Sequence, residues 1–158
     1  MNSNFFMKYP LNILLTLFLI SLTSLTFGSE KSKPVLNKHV QFKVSIVEKA
    51  IKPGSAGTIQ ISLTPVKGIH INLDPPMSLK LDSTASITKV DELITHKNDA
   101  NGYLDFSKPI TVKFSVAKNT KPGKLSLKGI FIYFFCSDAE GWCNRYKQPI
   151  DLIANISK

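Results

Sequence analysis

The 158-residue chain is 43% hydrophobic and 20% charged, enough apolar material for one packed domain and too little for two. Nine Pro and eight Gly fall short of a low-complexity or collagen-like composition, and the apolar fraction excludes an intrinsically disordered chain. Its 20 Lys and Arg against 11 Asp and Glu give a formal charge of +9, but the basic residues are mostly Lys scattered between apolar positions, the pattern of a solvated surface rather than a nucleic-acid site.

Residues 1–28 read as a secretory signal. Lys8 supplies a positive start, residues 11–27 form a run of 17 without a charge, and Thr26 and Gly28 place small residues beside a cut. An uncleaved anchor is the alternative, disfavoured because the run is shorter than the roughly 20 residues that span a bilayer and is crowded with Ser and Thr at its end. Cleavage leaves about 130 residues with a formal charge of +8, since only Lys8 is lost. The expected product is a periplasmic or otherwise exported protein with no stable membrane insertion and no nucleic-acid partner. Residues 29–37, polar and Lys-rich with Pro34, are expected to be a flexible lead, and the fold to occupy residues 38–158.

From Val40 onward apolar residues recur at every second position, the signature of half-buried strands. The runs are Val40, Phe42, Val44, Ile46; Ile59, Ile61, Leu63; Ile69, Ile71, Leu73; Leu79, Leu81; and Ile110, Val112, Phe114, Val116. A longer run covers residues 125–135, and Ile150 and Leu152 close the series. Between them lie Lys52-Pro53-Gly54, Asp74-Pro75-Pro76, residues 98–102 and Lys121-Pro122-Gly123, all rich in turn-forming residues. No helical period is convincing. Seven to eight short strands separated by turns predict an all-β, immunoglobulin-like antiparallel β-sandwich, with a barrel as the competing architecture.

Cys136 and Cys143 are the residues that could carry chemistry. An oxidising compartment permits them to pair, and the six intervening residues allow a hairpin to bring them within bonding range. Closing so small a loop stabilises by roughly 2.5 kcal/mol, so a purely structural bridge is one reading. Against it, six of the ten aromatics beyond residue 28 crowd into residues 131–146, including Tyr133 and Trp142. Both faces of residues 130–135 are apolar, so the strand has a second side that wants cover. A bridge closing a local loop also locks less of the fold than one joining distant strands, and the polar stretch 137–141, expected to be flexible, leaves a sulfur open to an incoming thiolate. His70 and Asn72 share the face opposite Ile69, Ile71 and Leu73, pointing to solvent, the plainer reading, or toward the cysteines. Asp99 is read as a turn residue that could also carry protons, and Trp142 as an apolar cover over the bridge or a docking anchor. Asp138 and Glu140 would oppose thiolate formation if close to a sulfur, while Arg145 and Lys147 would favour it.

No metal or other cofactor is expected. Zinc wants four closely spaced ligands where only two Cys and three scattered His exist. Thioredoxin-type Cys-x-x-Cys, haem-attachment, Gly-x-Ser-x-Gly and phosphate-loop motifs are all missing from the sequence.

Cys136-Ser137-Asp138 after a Tyr-bearing strand, Gly141-Trp142-Cys143, Pro149 on a last strand, and Lys67-Gly68-Ile69-His70-Ile71-Asn72 followed by Pro75-Pro76 together make the chain resemble the amino-terminal domain of DsbD, the thiol:disulfide interchange protein. The similarity spans roughly residues 40–156. It implies an immunoglobulin-like periplasmic domain whose cysteine pair takes electrons from a thioredoxin-like module and passes them to oxidised exported proteins. By the same resemblance Cys143 forms mixed disulfides with partners and Cys136 resolves them, a loop matching residues 96–103 caps the pair, and Tyr103 is the nearest counterpart of the aromatic at the cap's tip. The sequence departs from the family in having six rather than about five residues between the cysteines and Asn144-Arg145-Tyr146 where an aromatic followed by prolines is common. The membrane-spanning conduit and carboxy-terminal thioredoxin-like domain have no counterpart here, so the expected electron donor is a separate thioredoxin-like or membrane protein. The expectation is thiol:disulfide interchange through Cys136 and Cys143, an oxidoreductase-type activity. The alternative is a non-catalytic exported binding or accessory module with an inert bridge.

Overall fold

The computed structural model describes residues 37–158, so the signal expected at 1–28 and all but the last residue of the lead expected at 29–37 lie outside the described residues. The described chain forms eight strands: β1 (Val40–Ile46), β2 (Ala56–Pro65), β3 (His70–Asn72), β4 (Ser78–Leu81), β5 (Ile87–Val90), β6 (Ile110–Val116), β7 (Gly123–Ser137) and β8 (Trp142–Ile156). Among the described residues no helix is long and apolar enough to cross a membrane.

The strands make two antiparallel sheets packed as a β-sandwich. One has the order β1-β2-β6-β5. In the other, β7 pairs with β8 along its whole length on one side, and on the other side with β3 near Cys136 and β4 further back. β3 and β4 are thus two pieces of one interrupted strand, parted at residues 73–77, where Pro75 and Pro76 cannot donate to a ladder. The alternation of apolar residues decides which faces meet. Ile59, Ile61 and Leu63 of β2 and Ile110, Val112, Phe114 and Val116 of β6 pack against Leu127, Phe131, Tyr133 and Phe135 of β7, all buried. Phe42 of β1 stacks on Phe131 of β7 across the sandwich at 6.2 Å. Gly129 lets β4 come close, since a Cβ there would stand 2.3 Å from the Lys80 carbonyl oxygen.

The runs read in the sequence match β1 and β6 to the residue and sit within β2. β5 was not anticipated: its Ile87 and Val90 do not alternate, because the pairing with β6 shifts register between Ile87 and Lys89. The last strand is longer than Ile150 and Leu152 suggested. It begins at Trp142, and polar Arg145 and Lys147 on its outer face, with polar Asn144 and Gln148 at the alternate positions, hide the pattern.

Tyr133 is fully buried on the core face, its hydroxyl accepting a hydrogen bond from Asn37 Nδ2 at 2.8 Å. Burial pushes this hydroxyl up to about 12, against the pull of the Asn37 hydrogen bond. The unfolded chain releases the proton near 10.0 and the folded chain only at about 12. The Tyr133 contribution is therefore intact below pH 10, and about 2–3 kcal/mol of stability is lost as the pH rises from 10 to 12. Urea denaturation of wild type and Tyr133→Phe at stepped pH checks this: the stability difference between them should change by that amount over the interval. A constant difference contradicts it.

Candidate functional site

The cysteines lie at the turn end of the long β7–β8 hairpin, directly opposite each other in register, with Cα atoms 4.1 Å apart. They form a disulfide. So short a spacing belongs to the antiparallel pair that exchanges no backbone hydrogen bonds, where side chains come closest. Two hydrogen bonds close the turn of the hairpin, from Gly141 N to Ser137 O at 2.9 Å and from Glu140 N to Ser137 Oγ at 3.3 Å. Gly141, at φ +68°, takes the left-handed position that the turn requires.

Period two sorts the neighbours of the bridge onto two faces. Cys136 shares the outer face of its sheet with Phe134, Ile132 and Ile130, the last 43% exposed. On β8 the same face carries Cys143, Arg145, Lys147 and Pro149. On β3 it carries His70, opposite Cys136, and Asn72, opposite Phe134. His70 and Asn72 therefore face the cysteines and not open solvent. Asn72 Nδ2 donates to Cys136 Sγ at 3.2 Å, while its Oδ1 is buried with no hydrogen-bond partner. His70 Nδ1 lies 3.4 Å from Asp138 Oδ2.

The cap region is a hairpin-like loop. Asp105 N donates to His96 O at 2.8 Å, Asn98 N to Tyr103 O at 2.8 Å, and Leu104 N to Ile71 O at 2.9 Å, which ties the loop to the free side of β3. The buried Leu104 side chain anchors it, and Tyr103 stacks on the His70 ring at 3.7 Å and 17°. Tyr103 thus covers His70, the cross-strand neighbour of Cys136. Asp99 is exposed at the loop's turn and makes no hydrogen bond or ion pair among the described residues.

Two candidates fall on the wrong face for the bridge. Tyr133 precedes Cys136 by an odd number of residues and points into the core. Trp142 is adjacent to Cys143, so it too turns away from the sulfurs; its ring meets Phe135 at 5.8 Å and His39 at 5.1 Å, and its Nε1 donates to Glu140. It closes the end of the core beneath the hairpin and does not cover the bridge. Phe134 is a site neighbour that sequence reasoning missed, although its parity with Cys136 was available as a signal.

The two sulfurs differ in access. Cys143 is exposed and Cys136 is 3% exposed, walled by Asn72 and His70. The turn acids are engaged elsewhere, Asp138 with His70 and Glu140 with Trp142, while Arg145 and Lys147 share the face of Cys143. Among the described residues no three His, Cys, Asp or Glu side chains gather in a way that would hold a metal ion. No protein-family model matches the chain and no curated protein matches it.

Proposed function

We propose that the domain performs thiol:disulfide interchange in an exported compartment, passing electrons from a thioredoxin-like or membrane donor to oxidised client proteins, as the resemblance to the immunoglobulin-like amino-terminal domain of DsbD implies. The observation that carries the reading is the asymmetry of the bridge: an exposed Cys143 beside a buried Cys136 whose sulfur receives the Asn72 amide.

Interchange needs one sulfur that can be attacked and another that can leave with an electron pair. A donor thiolate attacks Cys143 Sγ, the donor–Cys143 bond forms as the Cys136–Cys143 bond breaks, and Cys136 departs as a thiolate beside the Asn72 N–H. The donor's second thiolate then attacks its own sulfur in the mixed disulfide, leaving an oxidised donor and a domain with two reduced cysteines. Reduction of a client runs these steps in reverse, with Cys143 as nucleophile and Cys136 resolving.

Trapping tests this. With Cys136 replaced by Ala, Cys143 should accumulate disulfide-linked adducts in extracts of cells that export the protein, and Cys143→Ala should accumulate none. If Cys136→Ala forms no adducts in an extract where a known exchange protein does, the bridge is a permanent staple and the relay is wrong.

A further inference from the structure

Hydrogen-bond parity along β8 leaves a free backbone edge at Cys143. Odd-numbered residues of β8 sit in the pairs that exchange no backbone bonds with β7, so their N–H and C=O groups point away from it. Two observations fix this parity independently of the bridge. Pro149, which has no N–H, occupies one such position, and Ile51 N donates to Asn155 O at 2.8 Å while Ser157 N donates to Ile51 O at 3.0 Å, from the outward side. Ile51 thus closes the edge at one end. Among the described residues no backbone hydrogen bond reaches the outward groups of Cys143, Arg145 or Lys147. Pro149 then removes a donor and limits ladder formation to the stretch beside Cys143.

We propose that this free edge takes an extended antiparallel segment of the redox partner as an added strand, with the partner's cysteine directly opposite Cys143. The inference rests on the relay reading and specifies how its partner docks. A residue opposite Cys143 on an added strand would exchange both backbone bonds with it, at a Cα separation near 5.5 Å that suits a disulfide. Its side chain would share the face of Cys143. Attack at a disulfide sulfur comes from the side away from the leaving sulfur, and the line from Cys136 on β7 through Cys143 on β8 runs on past this edge. Three sulfurs on three neighbouring strands are then in a row. The new bond forms between the partner and Cys143, and Cys136 leaves with the electron pair. Approach from the other side meets Asn72 and His70. In the same antiparallel register the partner residue two before its cysteine lies opposite Arg145, so the segment that fits best is acidic there.

The test uses the probe peptide acetyl-Glu-Thr-Cys-Thr-Val-amide, joined through its thiol to Cys143 of the Cys136→Ala protein, with N-acetylcysteine amide joined in the same way as the control. Amide hydrogen exchange at Cys143 and Arg145 should slow about tenfold or more in the peptide adduct relative to the control. In the protein with both cysteines, Arg145→Pro removes an outward N–H without touching the ladder to β7, as Pro149 already does. It should slow reduction by the peptide about tenfold relative to Arg145→Ala, while reduction by N-acetylcysteine amide stays equal in the two variants. Equal exchange in both adducts overturns the proposal. So do Cys143 and Arg145 amides already protected in the unmodified protein, which would mean that the chain itself occupies the edge. Failure of the relay reads out differently: no adducts in cell extracts, whatever the peptide does.

Discussion

Exchanging Asn72 for Leu is expected to slow reduction of the Cys136–Cys143 bridge by roughly tenfold to a hundredfold while leaving the oxidised domain as stable as before or more so. The two halves of this result come from the two ends of one side chain. Asn72 Nδ2 donates to Cys136 Sγ at 3.2 Å, a weak bond while that sulfur is neutral. When Cys143 is attacked, negative charge develops on Cys136, which is 3% exposed and so gains little from water. A hydrogen bond to a charged group contributes about 1.5–3 kcal/mol, and every 1.4 kcal/mol on a barrier is about tenfold in rate. The other end costs stability: Oδ1 is buried without a partner, a penalty of about 1–3 kcal/mol that Leu, of similar shape, removes. Reduction by dithiothreitol followed by stopped flow, with urea denaturation of the oxidised protein, reads both. An unchanged rate would assign Asn72 a packing role only.

Phe131→Ala should cost about 3–5 kcal/mol, a large share of the roughly 5–15 kcal/mol that holds a domain of this kind together. The ring is 0% exposed and stacks on Phe42 of the facing sheet at 6.2 Å and on Tyr133 of its own strand at 5.7 Å. Its removal opens a cavity where the two sheets meet, on the strand that positions Cys136. Phe134, one face over and half-buried beside the bridge, has less contact to lose, and Phe134→Ala should cost about 1 kcal/mol. Urea denaturation of both variants with the bridge intact gives the comparison, and similar losses would contradict the assignment of faces.

Period-two alternation carried the fold because each sheet buries one face, so β1, β2 and β6 announce themselves through Phe42, Ile61 and Val112 and their neighbours. β5 is a short edge strand with a register shift, and its two apolar residues give no alternation to find. The site was legible in part. The cysteine pairing followed from the spacing and an expected oxidising compartment, and the shared face of His70 and Asn72 from alternation. Their direction toward the sulfurs did not, because it depends on the register that sets His70 opposite Cys136, a pairing between strands far apart in the chain. Tyr133 and Trp142 were drawn to the site by closeness in sequence, although their parity with Cys136 and Cys143 already places them on the opposite face. The stacking of Tyr103 on His70 depends on Leu104 joining β3, which no local pattern encodes.

The reduction potential of the Cys136–Cys143 pair, measured by equilibration with glutathione buffers, tests most directly whether the bridge opens in use. A relay requires a value near those of the exported exchange proteins, about −180 to −120 mV. A value below about −300 mV would mark a bond that resists the glutathione pool as structural disulfides do, and would leave a β-sandwich with a permanent cross-strand staple.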